Sequence, residues 1–270
     1  MADVKHDDPA SEFIPGDDRP DIPETTSVAR LSETGLARPG DTVIRTPIKD
    51  NTPTVKIVHG VGKLAKDKVA PAGSLVLDDT VVLYEPPASK KGGGFEAEEP
   101  VMVTILKVAD CWREILPYPW PPDTFPREFQ TEKEAIAAGL ITQKPPRGSS
   151  DWDDPAKKQN CKPAVWLAML LEEPQGIEDR SYYYVPIAGK WYAPAKMLAE
   201  TWAYEEVAPV INRASSYSHR MLGLPAATFA LTTKTRHFPK SGNFTMVPAL
   251  RLASTKTEAE IKALYETLGG

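Results

Sequence analysis

Hydrophobic and polar positions alternate with a period of two in a series of short blocks from about Thr42 onward. Val55-Lys-Ile-Val58 alternates and reads as a strand. Gly73-Ser-Leu-Val-Leu77 and Thr80-Val-Val-Leu-Tyr84 flank Asp78-Asp79, a pair suited to a hairpin turn. Val101-Met-Val-Thr-Ile-Leu-Lys-Val108 is a β-branched and aliphatic run of the kind found in central strands. Ala164-Val-Trp-Leu-Ala-Met-Leu-Leu171 is apolar throughout, and Glu172-Glu-Pro174 and Gly176 end it quickly, which favours a buried strand over a helix. Tyr182 to Ile187 reads as a further strand, turned by Ala188-Gly-Lys190. Two late blocks, Ala226–Arg236 and Gly242–Arg251, set aromatic or aliphatic residues against Thr, Lys and Arg. Such strands bury one face and offer the other to a polar partner.

Helical spacing is rarer. Thr131-Glu-Lys-Glu134 has capping-box form, and Ala135-Ile-Ala-Ala138 before Gly139 predicts a short helix with a glycine stop. Pro194 followed by Met197, Leu198, Trp202, Val207 and Val210 predicts one long helix over about 193–216, with Pro209 expected to kink or break it. Thr255-Lys-Thr-Glu258 opens a last short helix through Leu268. Between these elements, 89–94 is a flexible loop tip, 117–122 a proline-rich extended stretch and 143–162 a polar insertion. The order predicts a β-rich α+β fold: a partly open barrel of five or six strands, of the oligonucleotide/oligosaccharide-binding (OB) type. One long helix packs on it, with short flanking helices. A two-layer α+β sandwich is the rival arrangement.

Charge changes this picture at one end. Residues 1–25 hold eight acidic and two basic side chains, so −6 of charge sits in an arm too poor in aliphatic residues to fold. The net charge of the chain is −5, which leaves about +1 on residues 26–270, the expected single binding domain. No apolar run approaches the roughly 18 residues a membrane helix needs. The acidic, polar N-terminus has no signal-peptide character, and Cys111 and Cys161 are too few for a disulfide framework. The expected compartment is therefore the cytoplasm, with no membrane partner.

The chemistry expected of an enzyme is not legible. His6, His59, His219 and His237 are scattered without ligand spacing, so no metal and no cofactor is expected. Gly60-Val-Gly62-Lys63 falls short of a phosphate loop. Asp151, Asp153 and Asp154 are the densest carboxylates outside the arm; a two-metal nuclease would use such residues, but their polar loop reads as a solvated turn. Aromatic and basic residues are the better lead, because single-strand binders pair a cationic groove with rings on which bases stack. The candidates are Lys107, Trp112, Arg113, Tyr118 and Trp120 along one strand and its exit, Tyr183, Lys190 and Trp191 around one turn, and Lys234 and Arg236 near the C-terminus. About half of the aromatics are expected to be core, since strand side chains alternate between two faces.

Pro71-Ala-Gly-Ser-Leu-Val-Leu77, Val101–Leu106 running into Trp112-Arg-Glu114, Thr131–Ala135, Tyr184-Val-Pro-Ile-Ala-Gly-Lys-Trp-Tyr192, Phe229–Lys234 and Gly242–Pro248 resemble stretches of an uncharacterised group of phage-type replication proteins. The core of that group is similar to single-stranded DNA-binding barrels. The resemblance implies a non-enzymatic single-stranded DNA-binding protein of phage replication or recombination, working in the host cytoplasm. Such binders often end in an acidic tail; here the acidic segment lies at the other end, where it is a candidate docking element for replication proteins. A phage structural or protein-interaction module is the alternative, and a metal-dependent nuclease a more distant third.

Overall fold

The computed structural model describes residues 51–60, 62–87, 99–116, 124–152, 154–174, 181–216, 223–238 and 244–268. The acidic arm, the glycine-rich tip at 89–94 and the proline-rich stretch 117–122 lie outside the described residues.

A small antiparallel sheet comes first. It is built from β1 (Val55–Ile57), β2 (Leu75–Leu77) and β3 (Val81–Tyr84), with a short helix α1 (Lys63–Lys66) between the first two. Asp78 and Asp79 both take positive φ and turn the β2–β3 hairpin, as their short polar side chains permit.

A larger antiparallel sheet carries the rest. Its strands are β4 (Val101–Glu114), β5 (Glu128–Phe129), β6 (Cys161–Glu172), β7 (Val185–Ile187), β8 (Lys190–Glu200), β9 (Ala227–His237) and β10 (Phe244–Thr255). The order is β10-β9-β4-β6-β8-β7, with β5 beside the end of β4. β4 therefore pairs with β6 over most of its length and with β9 only at Val101–Val103. A bulge between Ile105 and Lys107 bends it between the two partners.

Three further α-helices occur among the described residues: α2 (Glu132–Ala137), α3 (Trp202–Ser216) and α4 (Glu258–Leu268). The expected Thr131 cap forms, whereas the last helix is capped by Thr257 and Glu260, two residues beyond the expected Thr255 opening, because Thr255 still belongs to β10. Thr131 Oγ1 accepts from the Glu134 amide, and Thr257 and Glu260 bond reciprocally at the start of α4.

The long helix is shorter than its sequence pattern predicts. Residues 193–200 belong to β8, paired in register with β6 from Ala164↔Glu200 to Glu172↔Tyr192. Ala195, Met197 and Ala199 face the core, while Lys196, Leu198 and Glu200 alternate outward. Ala, Met and Leu are good helix formers, but pairing with β6 overrides that local preference. Thr201 at φ 51° makes the corner into α3, and Pro209 lies inside the helix. Two shorter segments also differ from their sequence patterns. Tyr182–Tyr184 precede β7 rather than joining it, and Cys161 and Lys162, expected in the polar insertion, open β6.

One core serves both sheets. Leu75, Leu77 and Tyr84 of the small sheet meet Met169, Met197, Phe229 and Leu231 of the large one, beneath Val207 and Ile211 of α3. The small sheet contacts the large one at two places. Lys196 N–H donates to the Pro53 carbonyl beside β8, and Thr233 Oγ1 donates to the Gly73 carbonyl beside β9 and β10. Hydrogen bonding among the described strands does not close into a continuous barrel. On the opposite face of the large sheet, Leu106, Leu170 and Tyr192 are covered by Leu264 and Leu268 of α4. That cover lies toward one end of β6 and β8, away from Trp166, Leu198 and Glu200.

Candidate functional site

The sheet face at that other end borders a groove of about 640 Å³. Strand alternation brings its residues together. Arg113 of β4, Trp166 of β6, and Leu198 and Glu200 of β8 share one side of the sheet, because paired residues in register point the same way. β1 contributes Lys56 and His59 follows it; β10 contributes Thr245 to Pro248, and Trp202 closes the end where α3 begins. Desolvation lowers the His59 pKa, and the Glu200 carboxylate opposes that shift.

Both groove tryptophans carry a lysine. Lys196 Nζ lies 5.8 Å from the Trp166 ring centroid, and Lys162 Nζ lies 6.0 Å from that of Trp202. Both distances fall within the range of a cation–π interaction. Phe238, just beyond β9, packs on Trp202 with ring centroids 4.5 Å apart at 48°. Trp202 remains 40% exposed, so much of its surface is open to a ligand.

The residues expected from sequence divide into groups. Arg113 lies in the groove, bonded to Glu128 at 2.7 Å and to Glu200 at 3.0 Å. Lys234 and Arg236 reach the first turns of α3, where Glu206 and Glu205 hold them. Lys107 is exposed in mid-strand opposite Ala168. Trp112 is half-buried and packs with Ala135, Leu140, Cys161 and Phe129. Tyr183 is only 5% exposed and belongs to the core, so its ring presents no face to a ligand. Lys190, bonded to Glu172, and the exposed Trp191 sit on the β7–β8 hairpin at the far end of β8 from the groove. Tyr118 and Trp120 lie outside the described residues.

Sequence reasoning missed Trp166, Lys162 and Lys196, and took Trp202 for a position on a helix face. The available signal was parity. In Val165-Trp-Leu-Ala-Met169 the odd positions are core and the even ones face outward.

Of the loop carboxylates Asp151, Asp153 and Asp154, Asp153 lies outside the described residues. Asp151 pairs with Lys157 at 2.7 Å, and Asp154 caps the 3₁₀ turn Pro155–Lys157. Among the described residues no group of three or more His, Cys, Asp or Glu side chains is placed to hold a metal ion. Both cysteines are buried and free; burial pushes the Cys111 thiol up to about 12 and raises that of Cys161. Among the described residues no helix is long and apolar enough to cross a membrane. No family model, curated protein or solved structure matches this chain.

Proposed function

We propose that this chain is a non-enzymatic single-stranded DNA-binding protein built on an OB-like barrel, serving phage-type replication or recombination in the host cytoplasm. The order β10-β9-β4-β6-β8, with α3 between β8 and β9, supports the barrel reading. In such barrels β4, β6 and β8 would be the first three strands, and the outer face of the second and third is the ligand face. The observation that carries the functional reading lies on and beside that face: Trp166 of β6 and Trp202 at the start of α3, each with a lysine ammonium at its ring, beside an open groove. Stacked bases take the exposed ring surfaces and the ammonium groups take the phosphates. Each stacked base contributes about 1–3 kcal/mol, without a strong sequence preference.

One observation favours a protein-interaction module instead. Arg113, Lys190, Lys234 and Arg236 are all held by carboxylates, so much of the expected cationic surface is internally neutralised. Competition between oligo-dT and a duplex of matched length separates the readings. Single-strand binding that duplex displaces poorly supports the first; equal displacement, or no nucleic-acid binding at low salt, supports the second.

A further inference from the structure

A second pocket of about 380 Å³ is lined by Lys144, Pro145, Trp152, Lys158, Gln159 and Lys162, and Lys162 links it to the groove through Trp202. It is formed by the polar loop between α2 and β6. That loop is shaped by its own hydrogen bonds: Asn160 Oδ1 accepts from the Ile141 amide, Gln159 donates to the Thr142 carbonyl, and the Asp151–Lys157 pair closes the turn beneath Trp152. Trp152 is 41% exposed, although nothing about a solvated turn calls for an open indole.

The charge here differs from that of the main groove. No carboxylate forms an ion pair with Lys144, Lys158 or Lys162 among the described residues. Asp151, which precedes Trp152, is already paired with Lys157, and Asp153, which follows it, lies outside the described residues. Desolvation is the larger cause that lowers the Lys162 pKa, Lys144 adds to it, and the Glu205 and Glu200 carboxylates oppose it. A cluster of like charges around an exposed ring suits an anion joined to a planar group, which is the chemistry of a nucleotide within a strand.

We propose that Lys144, Lys158 and Trp152 form a second nucleotide subsite, and that a single strand crosses Lys162 from the Trp166–Trp202 groove to reach it. This rests on the single-strand reading above. Lys162 is the joint: its ammonium lies over Trp202, which lines the groove, and the same residue lines the second pocket.

The test compares two lengths of oligo-dT, about four and about sixteen nucleotides, the limits of site size for a single barrel. The full chain is used as wild type, Trp152→Ala and Lys144→Gln/Lys158→Gln, with circular dichroism as the check on folding. Trp152→Ala is expected to weaken the long oligonucleotide roughly ten- to hundredfold and the short one little, since loss of one stacked base is confined to the longer footprint. The double lysine variant is expected to lower the slope of log affinity against log salt by about 1.4 for the long oligonucleotide, at roughly 0.7 for each phosphate no longer neutralised. Folded variants that bind the long oligonucleotide as wild type does, with the same slope, overturn this subsite and leave the main groove standing. Wild-type protein that binds neither length overturns the single-strand reading, and the subsite with it.

Discussion

The indole N–H of Trp166 donates to Glu128 Oε2 at 3.0 Å, while Oε1 of the same carboxylate holds Arg113 at 2.7 Å. One side chain from the short strand β5 thus fixes the ring orientation and neutralises a groove cation. Glu128→Gln keeps an acceptor for Trp166 and removes the charge. At about 8 Å from a bound phosphate, losing one negative charge in water contributes about 0.5 kcal/mol. Affinity for oligo-dT should therefore rise roughly two- to threefold at low salt, and the gain should fade as salt screens it. Salt-titrated anisotropy checks this; unchanged affinity would show that Glu128 does not face the ligand.

Gly73 links the two sheets, since its carbonyl accepts from Thr233 and its φ is 94°. An added Cβ would meet Met246 Cε at 2.6 Å and Pro86 Cγ at 3.1 Å. The methionine end can move, but the backbone conformation still disfavours any side chain. Gly73→Ala should cost about 1–3 kcal/mol in denaturant unfolding, and wild-type stability in that variant would contradict the packing described.

Asp110 faces the core opposite Val165, and neither carboxylate oxygen has a hydrogen-bond partner. Burial pushes its pKa up to about 6. The folded state thus binds this proton more tightly than the unfolded one. The stabilisation is fully present below the ordinary value near 4 and is lost as pH rises through about 6. Asp110→Asn should therefore stabilise the protein at about pH 7.5 by roughly 1–2 kcal/mol, after allowance for partial exposure. That advantage should disappear below about pH 4. Parallel urea titrations of both proteins across this range measure it, and a pH-independent difference would argue against a charged, unpaired Asp110.

Much of the fold was legible because its signals are local. The Asp78-Asp79 turn, the Thr131 cap and the alternation of Val55–Val58 involve residues within a few positions of one another. β8 was not legible. Ala195, Met197 and Leu198 suit a helix, and only β6, some 30 residues earlier in the chain, makes them a strand. The site was half legible for the same reason. Arg113, Lys234 and Arg236 are basic residues near the groove, but the carboxylates that hold them, Glu200, Glu205 and Glu206, come from distant segments. Trp166 was hidden by its apolar neighbours, since its outward direction depends on register and not on composition.

Cys111 and Cys161 offer a check on the core itself. With both thiols buried, Cys111 pushed up to about 12 and Cys161 also raised by burial, the folded protein at about pH 8 should react only slowly with an aromatic disulfide reagent. In denaturant both should titrate at once. Rapid reaction of the native protein would place these strands in the wrong packing.

If Trp166 and Trp202 are the stacking platform, affinity for labelled oligo-dT depends on both rings. Wild type, Trp166→Ala, Trp202→Ala and Trp191→Ala are titrated across a salt series, with circular dichroism to confirm folding. Trp191, exposed at the far end of β8, is the control. Wild type should bind tightly and with salt sensitivity, each groove variant should lose at least roughly tenfold, and Trp191→Ala should change little. Folded groove variants that bind as wild type does, or a larger loss at Trp191, would contradict a stacking role for the two rings.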